Sequence, residues 1–345
     1  MIRSKLKGNR MLRLAVLGAL CLTLAAATLP AVRPDRQSAV NVTVSAFTRF
    51  PVIALGLSHT VQDDEFAVAL IRDPRFGGTV RNIVIECGNS LYQPLLDRYI
   101  AGKPVPLAQL QLVWRNTTQV FGPCNDPHHK ELLDAVRELN RRAPKDHRIR
   151  VLAGDSPIDW RKVRTASDYR YFSLHRDDSF ASVVETQVLA KHQNALLVIG
   201  GAHVFRHHGL QVSMPTVTEQ LEHIHRHSTY VIISSSSQDQ ELDRRLASWP
   251  VPSIAVIYDT WLGLIDASAI AGDTLFRGKP VNPWPGLKLQ DLGDAYLYLG
   301  PASSMRDEEG PPSADLVYMR ELKRRSRFMQ TMRVIPRPAN KPLRP

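Results

Sequence analysis

The sequence predicts an α/β protein with a mostly parallel central sheet flanked by helices and carrying a helical insertion. Three observations predict it: short apolar runs recur along the chain, longer helical patterns separate them, and glycines with ionisable residues follow four of the runs directly. Alternation of strand and helix selects a parallel sheet covered by helices. Runs that are continuously apolar, rather than alternating, suit strands buried on both faces.

The elements follow in chain order. Arg3, Lys5, Lys7, Arg10 and Arg13 precede an apolar run over 14–29 that contains Ala25-Ala26-Ala27. This is the pattern of a secretory signal peptide over 1–27, and it places the mature protein in the periplasm or outside the cell. Residues 28–49 mix Pro, Arg, Asp, Gln and Ser without apolar periodicity and read as a linker. The α/β domain then runs over 50–310. Strands are expected at 52–55, 83–85, 149–152, 195–199, 230–233 and 254–257, with a last one at 295–299. Helices are expected at 62–71, 90–100, 127–142, 180–192 and 238–246. The stretch 103–125 carries polar and aromatic residues without a clean strand, and is expected to form the helical insertion over one end of the sheet. Pro and Gly around Trp284 mark 276–292 as an ordered loop. In the final segment, 311–345, a terminal helix over about 314–328 leads into a basic, Pro-rich tail.

Charge narrows the partners. The chain has 44 Lys and Arg against 33 Asp and Glu, but fourteen of the basic residues lie in the first 13 positions or from Arg320 onward. The body is therefore not basic, and nucleic acid is not an expected partner. The tail is instead a candidate contact for an anionic envelope surface. Cys87 and Cys124 are the two cysteines beyond the signal peptide. An oxidising compartment permits them to pair, and two separate buried thiols are equally compatible with the sequence.

In open parallel sheets, ligands bind outside the carboxyl ends of the strands. Four apolar runs end there in Gly56-Leu57-Ser58-His59, in Glu86, in Ala153-Gly154-Asp155 and in Gly200-Gly201-Ala202-His203. The candidate site is thus His59, Glu86, Asp155 and His203, with Gly56, Gly200 and Gly201 allowing close backbone approach. Arg176 is added as a candidate holder of an anionic substrate or of Glu86 itself. Two imidazoles with carboxylates support general acid–base hydrolysis. They equally support a divalent metal site in which His59, Glu86 and His203 are ligands. Histidines at 128–129, 207–208 and 223–227 read as solvated surface groups.

These motifs carry a resemblance. The two G-x-x-H segments ending at His59 and His203, with Glu86 between them, resemble a superfamily whose branches are the erythromycin esterase-like proteins, the ChaN-like haem-binding lipoproteins and the Tiki/TraB group. Arg176-Asp177-Asp178-Ser179-Phe180-Ala181 resembles its R-[DE]-x-x-M-A segment, and Asp294-Ala295-Tyr296 resembles its late FDA strand. The esterase branch implies His59 as general base with Glu86 and His203 completing a metal-free site. The Tiki branch implies a metal-dependent protease, and the ChaN-like branch a haem- or iron-linked pocket. The sequence departs from the esterase and ChaN-like pattern at Leu57, where an acidic residue usually follows the glycine. The expectation is an exported pocket protein acting on an unspecified small molecule or peptide. Its alternatives are a haem- or metal-binding protein without turnover, and an envelope-associated protein whose site has decayed.

Overall fold

The computed structural model describes residues 37–334 except 121, 127, 211–213, 235–239, 272–273, 277–278, 309 and 312–314. The expected signal peptide and the tail beyond 334 lie outside the described residues. No described helix is long and apolar enough to cross a membrane.

Among the described residues ten strands form: β1 (Gln37–Ser38), β2 (Val52–Leu57), β3 (Asn82–Asn89), β4 (Arg150–Asp155), β5 (Ala195–Gly200), β6 (Thr229–Ser234), β7 (Ser253–Val256), β8 (Thr274–Phe276), β9 (Lys279–Val281) and β10 (Ala295–Tyr298). Eight of them make one sheet in the order β1-β7-β10-β6-β2-β5-β3-β4, and β8 and β9 form a separate hairpin. From β10 to β4 every neighbour is parallel. The fold class predicted from sequence is therefore the one observed. The exceptions are at one edge, where β7 runs antiparallel to β10 and β1 antiparallel to β7.

The continuous apolar runs are explained by burial on both sides. Ile53, Leu55, Ile83, Ile85, Leu196 and Val198 face one core, with Phe66, Leu70, Leu133 and Val136 from the Val61–Arg72 and His129–Arg142 helices. Val52, Ala54, Val84, Leu197 and Ile199 face the other, with Phe180, Val184, Val217 and Leu221 from the Arg176–Gln187 and Val217–Ile224 helices. A smaller apolar cluster around Trp160 and Tyr169 receives Tyr318 and Leu322 of the terminal helix Leu316–Val334.

One stretch differs from expectation. Part of the expected linker folds as β1 and the Ala39–Ala46 helix. Its alternating Val, Asn and Thr residues hide the helical signal, but Ala39 and Thr43, one turn apart, are both buried, and Thr43 Oγ1 donates to Ala39 O. The insertion over 103–125 does contain short helices, Leu107–Leu110 and Leu112–Arg115. Cys87 at the end of β3 and Cys124 in this insertion are disulfide-bonded.

Candidate functional site

His59 leaves β2 with φ of 63°, in the left-handed region that is costly for a residue bearing a Cβ. The cost is met by the helix that follows. Asp63 Oδ2 accepts from Ser58 N–H at 3.2 Å, Thr60 N–H at 2.9 Å and Thr60 Oγ1 at 2.9 Å. Ser234 Oγ of the neighbouring β6 donates to Asp63 Oδ1. The capping box of the Val61–Arg72 helix therefore also fixes the loop that carries His59.

Glu86 sits where β3 changes register against β4, between Ile85 and Asn89. The extra residues there turn the strand and re-aim the side chain. Its side chain is 3 % exposed and fully engaged. Oε1 accepts from Arg176 Nη2 at 2.9 Å and from Gln119 Nε2 at 2.6 Å, and Oε2 accepts from Gly200 N–H at 2.6 Å. His59 Nε2 lies 3.5 Å from Oε2, and His203 Nε2 lies 3.8 Å from Oε1. Burial alone would raise this carboxyl, but Arg176, both imidazoles and the Gly200 amide outweigh it and hold Glu86 well below the usual carboxylate range.

Arg176 is the central cation. Nε donates to Asp155 Oδ1 at 2.8 Å, Nη2 to Glu86, and Nη1 to His203 Nε2 at 3.0 Å. Burial opposes its charge, but Asp155 and Glu86 more than offset that and raise it further. A guanidinium only donates, so His203 Nε2 is an acceptor and its proton sits on Nδ1, which donates to Asp177 Oδ1 at 2.5 Å. Asp155 is fully buried and also accepts from Thr118 N–H and Oγ1.

The structure thus brings all four strand-end groups together. Glu86, Asp155 and His203 surround Arg176, while His59 stands on the other side of Glu86. Both Asp155 oxygens are engaged, by Arg176 Nε and by the Thr118 amide and hydroxyl, so Asp155 anchors Arg176 and the insertion. Gly56 and Gly201 also serve packing rather than a ligand, since a Cβ would meet Val204 Cγ2 at 2.9 Å and the Phe205 ring at 2.8 Å, respectively. Gly200 is different: a Cβ there would lie 2.4 Å from His59 Nε2.

Sequence reasoning missed Asp177, Gln119, Thr118, Asp64 and Glu308. Asp177 was legible as the residue after Arg176, at a helix start. Glu308 was not, because nothing in its surroundings marks it. Its Oε1 lies 3.5 Å from His59 Nδ1, so a carboxylate beside the base is present although position 57 is Leu. Burial would lower the His59 imidazole, but the Glu308 hydrogen bond and the charges of Glu86, Glu308 and Asp63 prevail and raise it above the ordinary histidine value.

A cavity of about 30 Å³ adjoins His59 and Glu86, walled by Leu57, Ile85, Trp114, Leu132, Leu133 and Val198, with Asp64, Cys87, His129 and Glu308 also lining it. That volume accommodates a water-sized group. It does not fit a porphyrin. A metal also lacks a fit, because the Arg176 guanidinium takes the position among Glu86, Asp155 and His203 that a cation would occupy. Among the described residues, no group of three or more His, Cys, Asp and Glu is arranged to hold a metal ion. The histidines at 208 and 225 pair separately with Glu219 and Glu185.

No family model matches the chain, and no curated protein gives a significant sequence match. Solved structures do resemble it. A Bacillus cereus protein superposes with a TM-score of 0.52 at 10% identity, covering 79% of this chain and 93% of that one. The type III effector HopBA1 gives 0.37 at 14% identity, covering 59% of this chain and 86% of its own. ChaN of Campylobacter jejuni, described with cofacially bound haem, gives 0.35 at 11% identity, covering 59% and 88%. The first of these shows a shared fold, and at this identity a shared fold says nothing of activity.

Proposed function

We propose that the chain is an exported hydrolase in which His59 is the general base. The observation that carries this is the placement of His59 at the carboxyl end of β2, between Glu86 and Glu308. In this scheme the neutral imidazole takes a proton from a water held beside it, and the two carboxylates stabilise the imidazolium that results. Arg176 fixes Glu86. His203, held by Asp177, accepts from Arg176 and so positions it rather than donating a proton. Export is supported by the paired cysteines, which suit an oxidising compartment. Glu308 beside the base weighs against a decayed site, despite Leu57.

The test is a panel of chromogenic esters, lactones and peptides with the intact protein and with His59→Ala. Turnover that falls at least about 10²-fold in the variant, with unchanged far-ultraviolet circular dichroism, is the expected result. Turnover that survives the substitution, or none from the unsubstituted protein on any member of the panel, would refute the proposal.

A further inference from the structure

The cavity beside His59 contains two buried carboxylate oxygens without a hydrogen-bond partner, Asp64 Oδ2 and Glu308 Oε2. The Glu308 side chain is only 5 % exposed. It is placed by a segment strapped over the start of the Val61–Arg72 helix: Val61 N–H donates to Arg306 O, Gln62 Nε2 donates to Ser304 O, and residues 60 and 307 form a bridge. Its orientation into the cavity is therefore held by the fold. A buried acceptor with no donor is costly, and a buried carboxylate more so.

The neighbouring cations are committed elsewhere. Arg176 serves Glu86 and Asp155. His128 Nδ1 is on Asp126, and His129 Nε2 is on Pro123 O at 2.8 Å. None of these three pairs with Glu308 Oε2, and the His59 ring faces the other oxygen, its Nδ1 3.5 Å from Oε1.

We propose that this cavity is the subsite for the primary ammonium group of an amine-bearing substrate, held between Asp64 and Glu308 with the Trp114 ring beside it, the rest of the substrate lying outside the cavity. An ammonium brings three donors, needs acceptors rather than a full coordination sphere, and is favoured beside an aromatic ring. A volume of about 30 Å³ suits such a terminal group and excludes a bulkier head.

Electrostatics agree with this assignment. The Asp64 carboxyl is pushed up to about 8, first by burial and then by Glu308, Asp126 and Asp63, with His128 opposing. The His59 imidazole is likewise raised, against its burial, by Glu308, Glu86 and Asp63. A bound ammonium supplies the charge that the Asp64 proton supplies and opposes protonation of the nearby imidazole, so its binding releases protons and favours the neutral, basic form of His59. The link to catalysis rests on the hydrolase proposal; the binding does not.

Isothermal titration of the full chain with methylammonium and butylammonium chloride tests this, with butanol and potassium chloride as controls, in two buffers of different ionisation enthalpy near neutral pH. Saturable one-to-one binding of the alkylammonium ions with proton release is expected, weakened at least about tenfold in Glu308→Gln and absent for the controls. No saturable binding, binding unchanged in Glu308→Gln, or equal binding of potassium would overturn it. If Glu308→Gln does not fold, Asp64→Asn carries the same test, because it replaces a carboxyl that is already protonated at neutral pH. Amine binding without turnover would sink only the hydrolase, and turnover without amine binding only this subsite.

Discussion

At the scale of single residues, His59 is defined by its neighbours. Two carboxylates flank its ring, one at each nitrogen, and a third, Asp63, holds the backbone beneath it. Because the folded imidazole binds its proton more tightly than the unfolded one, its contribution to stability is complete below the ordinary value of 6.5 and is lost as pH rises through the folded value. Catalysis runs the other way, since a base must be deprotonated. The acid limb of kcat/KM should therefore lie above 6.5, and ring titration followed by nuclear magnetic resonance should give the same value. Glu308→Gln removes the hydrogen bond that raises this group most and should shift both measurements downward together. A His59 titration below 6.5, or one that ignores Glu308→Gln, would contradict this account of the site.

At the scale of elements, the site is made where helices and strands end. The Arg176–Gln187 helix starts with the residue whose guanidinium joins β3, β4 and the short Gly201–Val204 helix through Glu86, Asp155 and His203. Substituting Arg176 with Leu would strand two buried carboxylates, a change that costs about 3–5 kcal/mol where one partner of a buried pair is removed. Arg176→Lys should recover only part of that, since a point charge cannot fork to three acceptors; urea unfolding of the three proteins checks the order. Equal stability of all three would refute the central role of this cation. The elements were largely legible in the sequence because buried parallel strands are short and uniformly apolar, as in β2 and β5. Their ends were less so. Strand β3 was expected to stop at Ile85 because Glu86 interrupts the apolar run, whereas the strand continues through Asn89 with extra residues that hide the charge against Arg176. The helix was expected at 180 because Arg176 and two aspartates look like loop; the partners of Arg176 and Asp177 come from 21 to 90 residues away, and no local pattern records them. The same holds for Glu308, which approaches His59 across most of the chain.

At the scale of the whole molecule, the sheet supplies His59, Glu86 and Asp155, but the insertion over 103–125 closes the site above them. Thr118 donates to Asp155 and Gln119 to Glu86, so two insertion residues complete the hydrogen bonding of buried carboxylates. Leu110, Val113 and Trp114 of that segment are buried in the main core. The Cys87–Cys124 disulfide also ties it to β3 directly after Glu86, across a separation of 37 residues. In the chain-entropy account, closing a loop of that length contributes about 3–4 kcal/mol, mainly by restricting the unfolded chain. Reduction, or the double substitution Cys87→Ser and Cys124→Ser, should lower the urea midpoint accordingly. The parallel sheet keeps both its apolar faces in the reduced protein, so far-ultraviolet circular dichroism should persist under native conditions. Turnover, by contrast, should fall even where the chain remains folded, because loosening Gln119 and Thr118 leaves Glu86 and Asp155 short of donors and lets Arg176 move away from His203. Unfolding curves that coincide with and without reductant would show that the insertion is held by packing alone. An unchanged rate at full reduction would show that its two polar residues do not hold the site.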